Sequence, residues 1–400
     1  MNIFEKLYEM TAISGFAASP GSLLMLLIGG VLLYLGIAKN FEPLLLIPIG
    51  FGVLWANVPG AGMNVLQASE HPEITHMSIV EIAKEHGIIN MLYYSLIKTG
   101  LLPPLIFMGV GALTDFGPML RNLRLAFFGG AAQIGIFTVL IAAVAIGFTP
   151  KEAGALAIIG GADGPTAIYT TILLAPELLG PIAIAAYSYM ALVPVIIPLI
   201  ANLTMNKKDF KINMKQQDKR FPSREIKNLR AVKIMFPIML FILVGVLVPT
   251  SVPLLGALLF GNLVKEIGNA TSRLSDAASS IIMNSATVFL GLCIGATMDA
   301  HSFLQTKTLL ILLGGFVAFS LSVAGGIYAA KIYNVFSKKK INPLCGATGL
   351  SAVPMASRVA NDLALKHDSQ NHILQYAMAS NIAGVIGSAV AAGVLISFLN

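Results

Sequence analysis

Long apolar runs separated by short polar stretches fill most of this 400-residue chain, and they constrain its fold more than any other feature. Hydrophobic residues make up 56% of the sequence and charged residues only 11%. That is too little polar surface to cover a water-soluble globule of this size. A membrane-spanning helix needs about 20 apolar residues, and most of the runs approach that length. The sequence therefore predicts an all-α polytopic membrane protein whose immediate surroundings are the lipid bilayer.

The apolar runs form two sets of five, and each set also contains one interrupted segment. The runs lie at about 22–38, 43–56, 89–113, 123–147 and 181–203, and then at about 233–249, 253–268, 279–298, 308–333 and 373–398. The interrupted segments are 152–175 and 342–365, where Gly and Pro break the helical pattern. We therefore expect an N-terminal lead-in (1–20), a first transmembrane repeat (21–203), a basic loop (204–232) and a second transmembrane repeat (233–400).

Short sequence matches recur in the same order in both sets. They pair Pro43-Leu44-Leu45 with Pro253-Leu254-Leu255, Gly111-Ala112 with Gly295-Ala296, Gly129-Gly130 with Gly314-Gly315, and Thr149-Pro150 with Asn342-Pro343. Because each set holds an odd number of spans, the second copy is inverted relative to the first. Secondary transporters share this architecture, and their broken helices hold substrate and coupling ion near the bilayer midplane. We predict two inverted five-helix repeats whose broken segments meet there.

The basic residues are concentrated in one stretch. The net charge is +7, and ten of the 26 Lys and Arg lie between Lys207 and Lys233. No basic groove with interleaved aromatic residues is present, so nucleic acid is not an expected partner. Cytoplasmic loops of membrane proteins are rich in Lys and Arg, which predicts that loop 204–232 is cytoplasmic. We expect a multi-pass membrane protein with this loop on the cytoplasmic side.

The cysteines and histidines do not predict a transition-metal site. Cys293 and Cys345 are too few and too far apart for a disulfide framework or a thiolate site, and the six histidines lack zinc-ligand spacing. Both cysteines are interpreted as small apolar residues. Residues 1–19 lack the basic-then-apolar order of a signal peptide, so we expect a short amphipathic lead-in.

The first interrupted segment carries a carboxylate in an apolar field. Asp163 follows Gly160-Gly161-Ala162 and precedes Gly164-Pro165. A charge at bilayer depth costs at least a few kcal/mol, so Asp163 is by default a functional residue. The alternative is that Asp163 only caps the next helix, with Thr166 in its first turn. Its carboxylate and the exposed backbone carbonyls would suit Na⁺ or a proton.

The second interrupted segment supplies neutral oxygens and one cation. Asn342, Thr348 and Ser351 offer oxygens, and Arg358 offers a forked donor for a carboxylate. Arg358 could equally be an interfacial residue whose charged end reaches water. Polar residues also occur in the helix that follows each interrupted segment. They are Tyr187, Ser188 and Tyr189 in the first half, and Asn381 and Ser388 in the second.

Three motifs resemble the β subunit of the biotin-dependent, sodium-translocating decarboxylases. They are GGADGPTAI at 160–168, N-P-x-x-G-x-x-G-L-S-A-V-P-x-x-x-R at 342–358 and SNIAGVIGSAVAAG at 380–393. That family includes the oxaloacetate, methylmalonyl-CoA and glutaconyl-CoA decarboxylase complexes, and the resemblance covers essentially the whole chain. It implies a membrane subunit that takes carboxybiotin from a separate carrier subunit, releases CO₂, consumes a proton and exports Na⁺.

The resemblance also implies roles for particular residues and partners. The family's functional positions fall on Asp163, Tyr189, Asn342, Gly346, Ser351, Arg358 and Asn381. We predict a Na⁺ site of Asp163, Asn342, Ser351 and Asn381, and a carboxybiotin contact at Arg358, Asn342 and Gly346. Tyr189 or Ser351 would relay the proton. The implied partners are a carboxyltransferase (α) subunit, the biotin carrier and a small membrane (γ/δ) subunit, with this chain as a homo-oligomer within the complex.

Two other interpretations stay open on the sequence. One is a secondary Na⁺/H⁺ antiporter or Na⁺-coupled organic-acid transporter with no chemistry of its own, because a fold does not fix a function. The other is a structural anchor for a soluble enzyme, which leaves the two interrupted segments unexplained. The acyl substrate of a decarboxylase complex would be chosen by another subunit.

Overall fold

The computed structural model describes residue 8 and residues 11–39, 42–68, 71–222, 226–352 and 354–400. Within these residues all regular secondary structure is helical, as the sequence predicts. Of the predicted lead-in, residues 1–7, 9 and 10 lie outside the described residues, and Ile13–Ala18 forms a short helix.

The helices of the first half are α1 (Ile13–Ala18), α2 (Pro20–Ala38), α3 (Pro43–Ala56), α4 (Ile79–Leu92), α5 (Leu102–Leu113), α6 (Gly117–Arg121), α7 (Leu123–Ala132), α8 (Ile134–Ile146), α9 (Pro150–Ala157), α10 (Gly164–Leu174), α11 (Leu179–Ala191) and α12 (Val193–Thr204). Those that follow are α13 (Lys207–Phe210), α14 (Met214–Arg220), α15 (Leu229–Leu247), α16 (Val252–Ile267), α17 (Ser272–Asp276), α18 (Met283–Ala296), α19 (Ala300–Phe303), α20 (Thr306–Phe336), α21 (Leu344–Ala347), α22 (Met355–His367) and α23 (Leu374–Leu399).

Seven helical segments among the described residues are long and apolar enough to cross a membrane. Two bent pairs could each form one more span: Ile79–Ile97 with Leu102–Leu113, bent by 65°, and Pro176–Met190 with Val193–Thr204, bent by 69°. Helix α3 is apolar but has only 14 residues, fewer than the roughly 20 of a straight span. The multi-pass membrane architecture is therefore confirmed.

One predicted boundary agrees with the structure. The sequence predicts an amphipathic helix near 76–87 that is separate from the run 89–113, and the backbone of α4 is interrupted between the two at Gly87, whose φ of 81° and ψ of 175° are not helical. A capping box between Ser78 and Glu81 starts α4, and a π-helical turn at Tyr93–Ile97 ends it. The chain then breaks at Gly100, whose φ of +73° suits a residue without a side chain.

Two helix crossings bring backbone into contact with backbone. Helix α5 crosses α16, where a Cβ added to Gly111 would stand 1.9 Å from the Leu258 carbonyl oxygen. Helix α3 crosses α18, where a Cβ added to Gly295 would stand 2.2 Å from the Ile49 carbonyl oxygen. Gly111 and Gly295 are the paired glycines of the sequence matches. The two halves therefore use these glycines in the same kind of contact.

Helix α20 connects two polar ends of the molecule. Near its start Lys307 pairs with Glu152, and near its end Lys331 pairs with Asp209 at 3.2 Å. At 1.5 Å per residue these two lysines are about 36 Å apart along the helix, more than the ~30 Å hydrocarbon thickness of a bilayer. The two ion pairs therefore lie near opposite ends of the membrane-spanning region.

The basic loop packs against the end of the molecule near Lys331. The Phe210 ring stacks on the His367 ring at 4.1 Å, and the Asn213 amide donates to Asp368 at 3.1 Å. Basic side chains from both halves line one cavity at this end, namely Arg121, Arg124, Lys227, Lys338 and Lys339. They come from three parts of the chain, namely the corner between α6 and α7, the basic loop and the segment after α20, which this end of the fold brings together.

Candidate functional site

The first interrupted segment is a helix, a tight turn and a second helix. A capping box between Thr149 and Glu152 starts α9, and a 3₁₀ turn at Ile158–Gly161 ends it. The next residue, Ala162, has a φ of 53°. This left-handed conformation costs a residue with a side chain roughly 1–2 kcal/mol. It turns the chain so that Asp163 can begin α10.

The Asp163 carboxylate is 5% exposed and accepts three hydrogen bonds. Its Oδ1 accepts from the Thr166 backbone N–H at 3.2 Å, which is a helix cap. Its Oδ2 accepts from the Ser351 hydroxyl at 2.6 Å and from the Ser388 hydroxyl at 2.9 Å. Helix capping therefore accounts only for the Oδ1 atom of Asp163. The Oδ2 atom is hydrogen-bonded by the second half of the chain.

The two interrupted segments are in direct contact. Besides the bond to the carboxylate, the Ser351 backbone N–H donates to the Gly161 carbonyl at 2.9 Å. The depth of this contact in the membrane can be read from its position along α20. A Cβ added to Gly160 would stand 3.1 Å from the Ala318 carbonyl oxygen of that helix. Ala318 is about halfway between Lys307 and Lys331. The carboxylate is therefore near the middle of the membrane-spanning region.

Asn342 makes its contacts away from the carboxylate. Its Nδ2 donates to the Phe210 carbonyl at 3.2 Å and the Ile212 carbonyl at 3.0 Å. Its Oδ1 accepts from the Leu344 N–H at 3.0 Å. In this conformation Asn342 fixes the start of the second interrupted segment to the basic loop, and its amide has no contact with Asp163.

Gly346 lies at a contact between α21 and α20. A Cβ added to Gly346 would stand 2.0 Å from the Gly326 carbonyl oxygen. The absence of a side chain at Gly346 thus permits a backbone contact that positions the second interrupted segment.

Asn381 lies next to the second interrupted segment. Its Nδ2 donates to the Leu350 carbonyl, one residue before Ser351. Its Oδ1 is buried and has no hydrogen-bond partner among the described residues. An oxygen acceptor is therefore available close to the residues that hold Asp163.

Two neighbouring tyrosines of α11 have different surroundings. Tyr189 donates its hydroxyl to the Leu312 carbonyl of α20, and its ring lies 6.1 Å from the Phe316 ring. Tyr187 packs against Gly164, the residue after Asp163. A Cβ added to Gly164 would stand 2.0 Å from the Tyr187 ring. Its hydroxyl is buried without a partner in the described part of the chain. Tyr187 is therefore the tyrosine beside the carboxylate.

Arg358 lies in the first turn of α22, seven residues after Ser351, and its side chain is exposed. The structure thus places it apart from the buried hydrogen bonds around Asp163.

The structure adds Ser388 and Gln133 to the surroundings of the carboxylate. Ser388 is visible in the sequence as a polar residue of an apolar helix, but nothing in the sequence places it on Asp163. Gln133 lies between α7 and α8, and a Cβ added to Gly161 would stand 3.9 Å from its Oε1. One amide in an apolar run carries no signal of its position in the fold.

This arrangement is suited to binding a small hard cation. Carboxylate, hydroxyl and amide oxygens are hard ligands. The serine hydroxyls donate to Asp163 here, and each also has two acceptor lone pairs that rotation can direct at an ion. The fold and this buried carboxylate define the class of the molecule: an all-helical, multi-pass membrane protein with an ionisable site in its interior.

Comparisons with known proteins identify the family. The family described as "Na+-transporting oxaloacetate decarboxylase beta subunit" matches residues 21–399. The methylmalonyl-CoA decarboxylase subunit beta of Propionigenium modestum is 47% identical, over 98% of this chain and 97% of its own length. The oxaloacetate decarboxylase beta chain of Klebsiella pneumoniae is 45% identical and the probable one of Vibrio cholerae serotype O1 is 44% identical, each over 95% of both chains.

The chain belongs to this family of sodium-transporting decarboxylase β subunits. It is a membrane subunit of a decarboxylase complex, and the predicted family and its sodium-transport function are confirmed.

Proposed function

We propose that this subunit binds Na⁺ at Asp163 and couples its export to the decarboxylation of carboxybiotin on a separate carrier. The observation that carries the proposal is the carboxylate near the middle of the membrane-spanning region, held by hydroxyls of the opposite half. A charge in that position has a functional role more often than a structural one.

The proposed ion ligands are Asp163, Ser351, Asn381 and Ser388. The Asn381 Oδ1 is buried without a partner in the described chain, so it can accept a cation without breaking an existing bond. Asn342 stays a predicted ligand. It could join only after its bonds to the Phe210 and Ile212 carbonyls break, which requires a second conformation.

The proposed chemistry replaces the carboxyl group of N-carboxybiotin with a proton and releases CO₂. Arg358 attracts the carboxylate from its exposed position, beside the segment of Asn342 and Gly346, and Tyr189 or Ser351 relays the proton. If the proton reaches the site only after Na⁺ leaves Asp163, chemistry and transport cannot run separately. Moving one charge against 100 mV requires about 2.3 kcal/mol.

The proposed assembly places the basic end in the cytoplasm of a bacterial or archaeal cell, where loop 204–232 would face the carrier. The other proposed partners are a carboxyltransferase (α) subunit, a small membrane (γ/δ) subunit and further copies of this chain. Relatives named for oxaloacetate and for methylmalonyl-CoA are nearly equally similar to it. This supports a carboxybiotin substrate common to both and an acyl substrate chosen by the carboxyltransferase.

The two glycine crossings support the proposal that the halves are inverted repeats. Helix α3 packs on α18 as α16 packs on α5, and the paired residues Gly295 and Gly111 lie at those contacts. The domain division at 204–232 follows from the same pairing.

The complex reconstituted in liposomes tests the site with Asp163→Asn. This change should abolish Na⁺-stimulated CO₂ release and ²²Na⁺ uptake together, because the amide carries no charge for the ion. Asp276→Asn, which alters an exposed carboxylate, should leave both rates within twofold.

Sodium-stimulated decarboxylation that survives in Asp163→Asn would remove this residue from the ion site. ²²Na⁺ uptake by the natural protein without any CO₂ release would instead favour a secondary transporter.

A further inference from the structure

Gln133 carries a buried acceptor without a partner beside the Asp163 site. The residue is 6% exposed. Its Nε2 donates to the Gly129 carbonyl at 2.8 Å, which fixes the orientation of the amide. Its Oε1 is buried and has no hydrogen-bond partner among the described residues. A buried polar atom without a partner is uncommon in folded proteins and calls for a physical reason.

Glycines on two neighbouring elements make room for this amide. A Cβ added to Gly387 would stand 3.0 Å from the Gln133 Nε2, and one added to Gly161 would stand 3.9 Å from its Oε1. Gly387 precedes Ser388, and Gly161 accepts the backbone bond from Ser351. The Gln133 amide therefore lies against Gly161, two residues before Asp163, and against Gly387, one residue before Ser388.

The position of Gln133 is fixed by the crossing of α7 and α23, on the side of its Nε2 atom. Helix α7 crosses α23 at Gly129, where an added Cβ would stand 2.6 Å from the Gly384 backbone nitrogen. The Gly129 carbonyl is also the acceptor for the Gln133 amide. The oxygen is thus held in place by backbone contacts before any ion binds, which lowers the entropic cost of using it as a ligand.

We propose that the Gln133 Oε1 is a neutral ligand of the alkali cation at Asp163, supplied by a helix outside the two interrupted segments. This inference rests on the proposed ion site. An amide oxygen is a hard donor suited to Na⁺, and a neutral ligand adds coordination without adding charge. The partnerless oxygen acquires its partner when the ion is bound.

Sodium-induced thermal stabilisation of the purified protein tests this ligand. An ion that binds only the folded state raises the melting temperature by an amount that grows with the logarithm of its concentration relative to its dissociation constant. Gln133→Leu should weaken the apparent Na⁺ affinity about tenfold, so the rise in melting temperature should require roughly ten times more Na⁺. Gln133→Glu keeps an oxygen at the same reach and should retain the response to Na⁺.

Asn262→Leu is a matched control. The Asn262 Nδ2 also donates to a backbone carbonyl, at 2.8 Å to Thr114, and its Oδ1 is also buried without a partner in the described chain. It lies at the crossing of α16 and α5, away from Asp163. This variant should lower the melting temperature equally with and without Na⁺, and should leave the Na⁺-induced rise unchanged.

The outcomes separate this inference from the proposed site. Gln133 is not a ligand if Asp163→Asn loses the Na⁺-induced rise in melting temperature while Gln133→Leu shows it at the same Na⁺ concentration as the natural protein. If Asp163→Asn keeps the rise, the proposed ion site itself is wrong. If Gln133→Leu does not fold, a lost response in Gln133→Glu would overturn the inference and a retained one would support it.

Discussion

Two serine hydroxyls act on one carboxylate oxygen, and they come from different elements. Ser351 belongs to the second interrupted segment and Ser388 to α23, yet both donate to the Oδ2 of Asp163. A hydrogen bond to a charged group contributes about 1.5–3 kcal/mol. The two hydroxyls can therefore hold the carboxylate in the absence of an ion, and can act as neutral ligands in its presence.

Ser388→Ala should weaken Na⁺ binding about tenfold, or roughly 1.4 kcal/mol. The change removes one donor to the carboxylate and one proposed ligand. The concentration of Na⁺ that gives half-maximal decarboxylation by the complex measures the effect.

Ser357→Ala is the control for this measurement. It removes another buried hydroxyl of the second half, one without a partner in the described chain. An equal shift in the two variants would mean that Ser388 acts on folding and not on the ion.

At this scale the sequence predicts functional residues within its motifs, but it does not show which side chains meet in the fold. Asp163 and Ser351 lie within Gly- and Pro-rich segments, which indicate a broken helix. Ser388 lies within the third motif and Gln133 within an uninterrupted apolar run, and only the packing of α23 and α7 brings them to the carboxylate. Asn342 belongs to a motif, but its amide bonds to the basic loop, and no local pattern reveals that long-range contact.

At the scale of elements, helix crossings without intervening side chains fix the geometry. The order and interruption of the apolar segments follow from the sequence pattern and from Gly and Pro. The sequence predicts ten spans, whereas the described residues hold seven helices long enough to cross a membrane and two bent pairs. Helix partners are harder to predict. Gly111 and Gly130 look alike in sequence, yet a Cβ on the first meets a carbonyl at 1.9 Å and a Cβ on the second meets nothing within 4 Å.

Gly111→Ala should therefore destabilise the protein by about 1–3 kcal/mol, since the methyl group can be accommodated only by moving α5 away from α16. Gly130→Ala should be neutral or stabilising by up to about 1 kcal/mol, because alanine favours a helix over glycine. Melting temperatures of the purified variants compare the two. Equal melting temperatures would contradict the close backbone contact at Gly111.

At the scale of the whole molecule, each end is marked by polar contacts between distant parts of the chain. Lys151 donates to the C-terminal Asn400 at 3.2 Å at the end where Glu152 pairs with Lys307. The basic loop packs at the opposite end, near Lys331. Residues before the first interrupted segment and residues of the loop should therefore face different aqueous compartments.

Sided labelling tests this arrangement with Lys151→Cys and Lys211→Cys, two exposed positions. A membrane-impermeant maleimide should label position 151 in intact cells and position 211 only in inverted vesicles. The natural Cys293 and Cys345 are both buried and should give little background. Permeabilised cells, where both positions should react, provide the control. Labelling of both positions from one side would contradict the predicted topology.

The origin of the carboxylate and its donors has a consequence for how such a molecule can arise. Asp163 comes from the first half of the chain, whereas Ser351 and Ser388 come from the second. A polypeptide with only one of these halves would contain either the acid or its hydroxyl partners, but not both. It could assemble the full set only by pairing with a partner that carries the missing groups. Joining the two halves in one chain makes that pairing permanent, and leaves each half free to specialise in one side of the site.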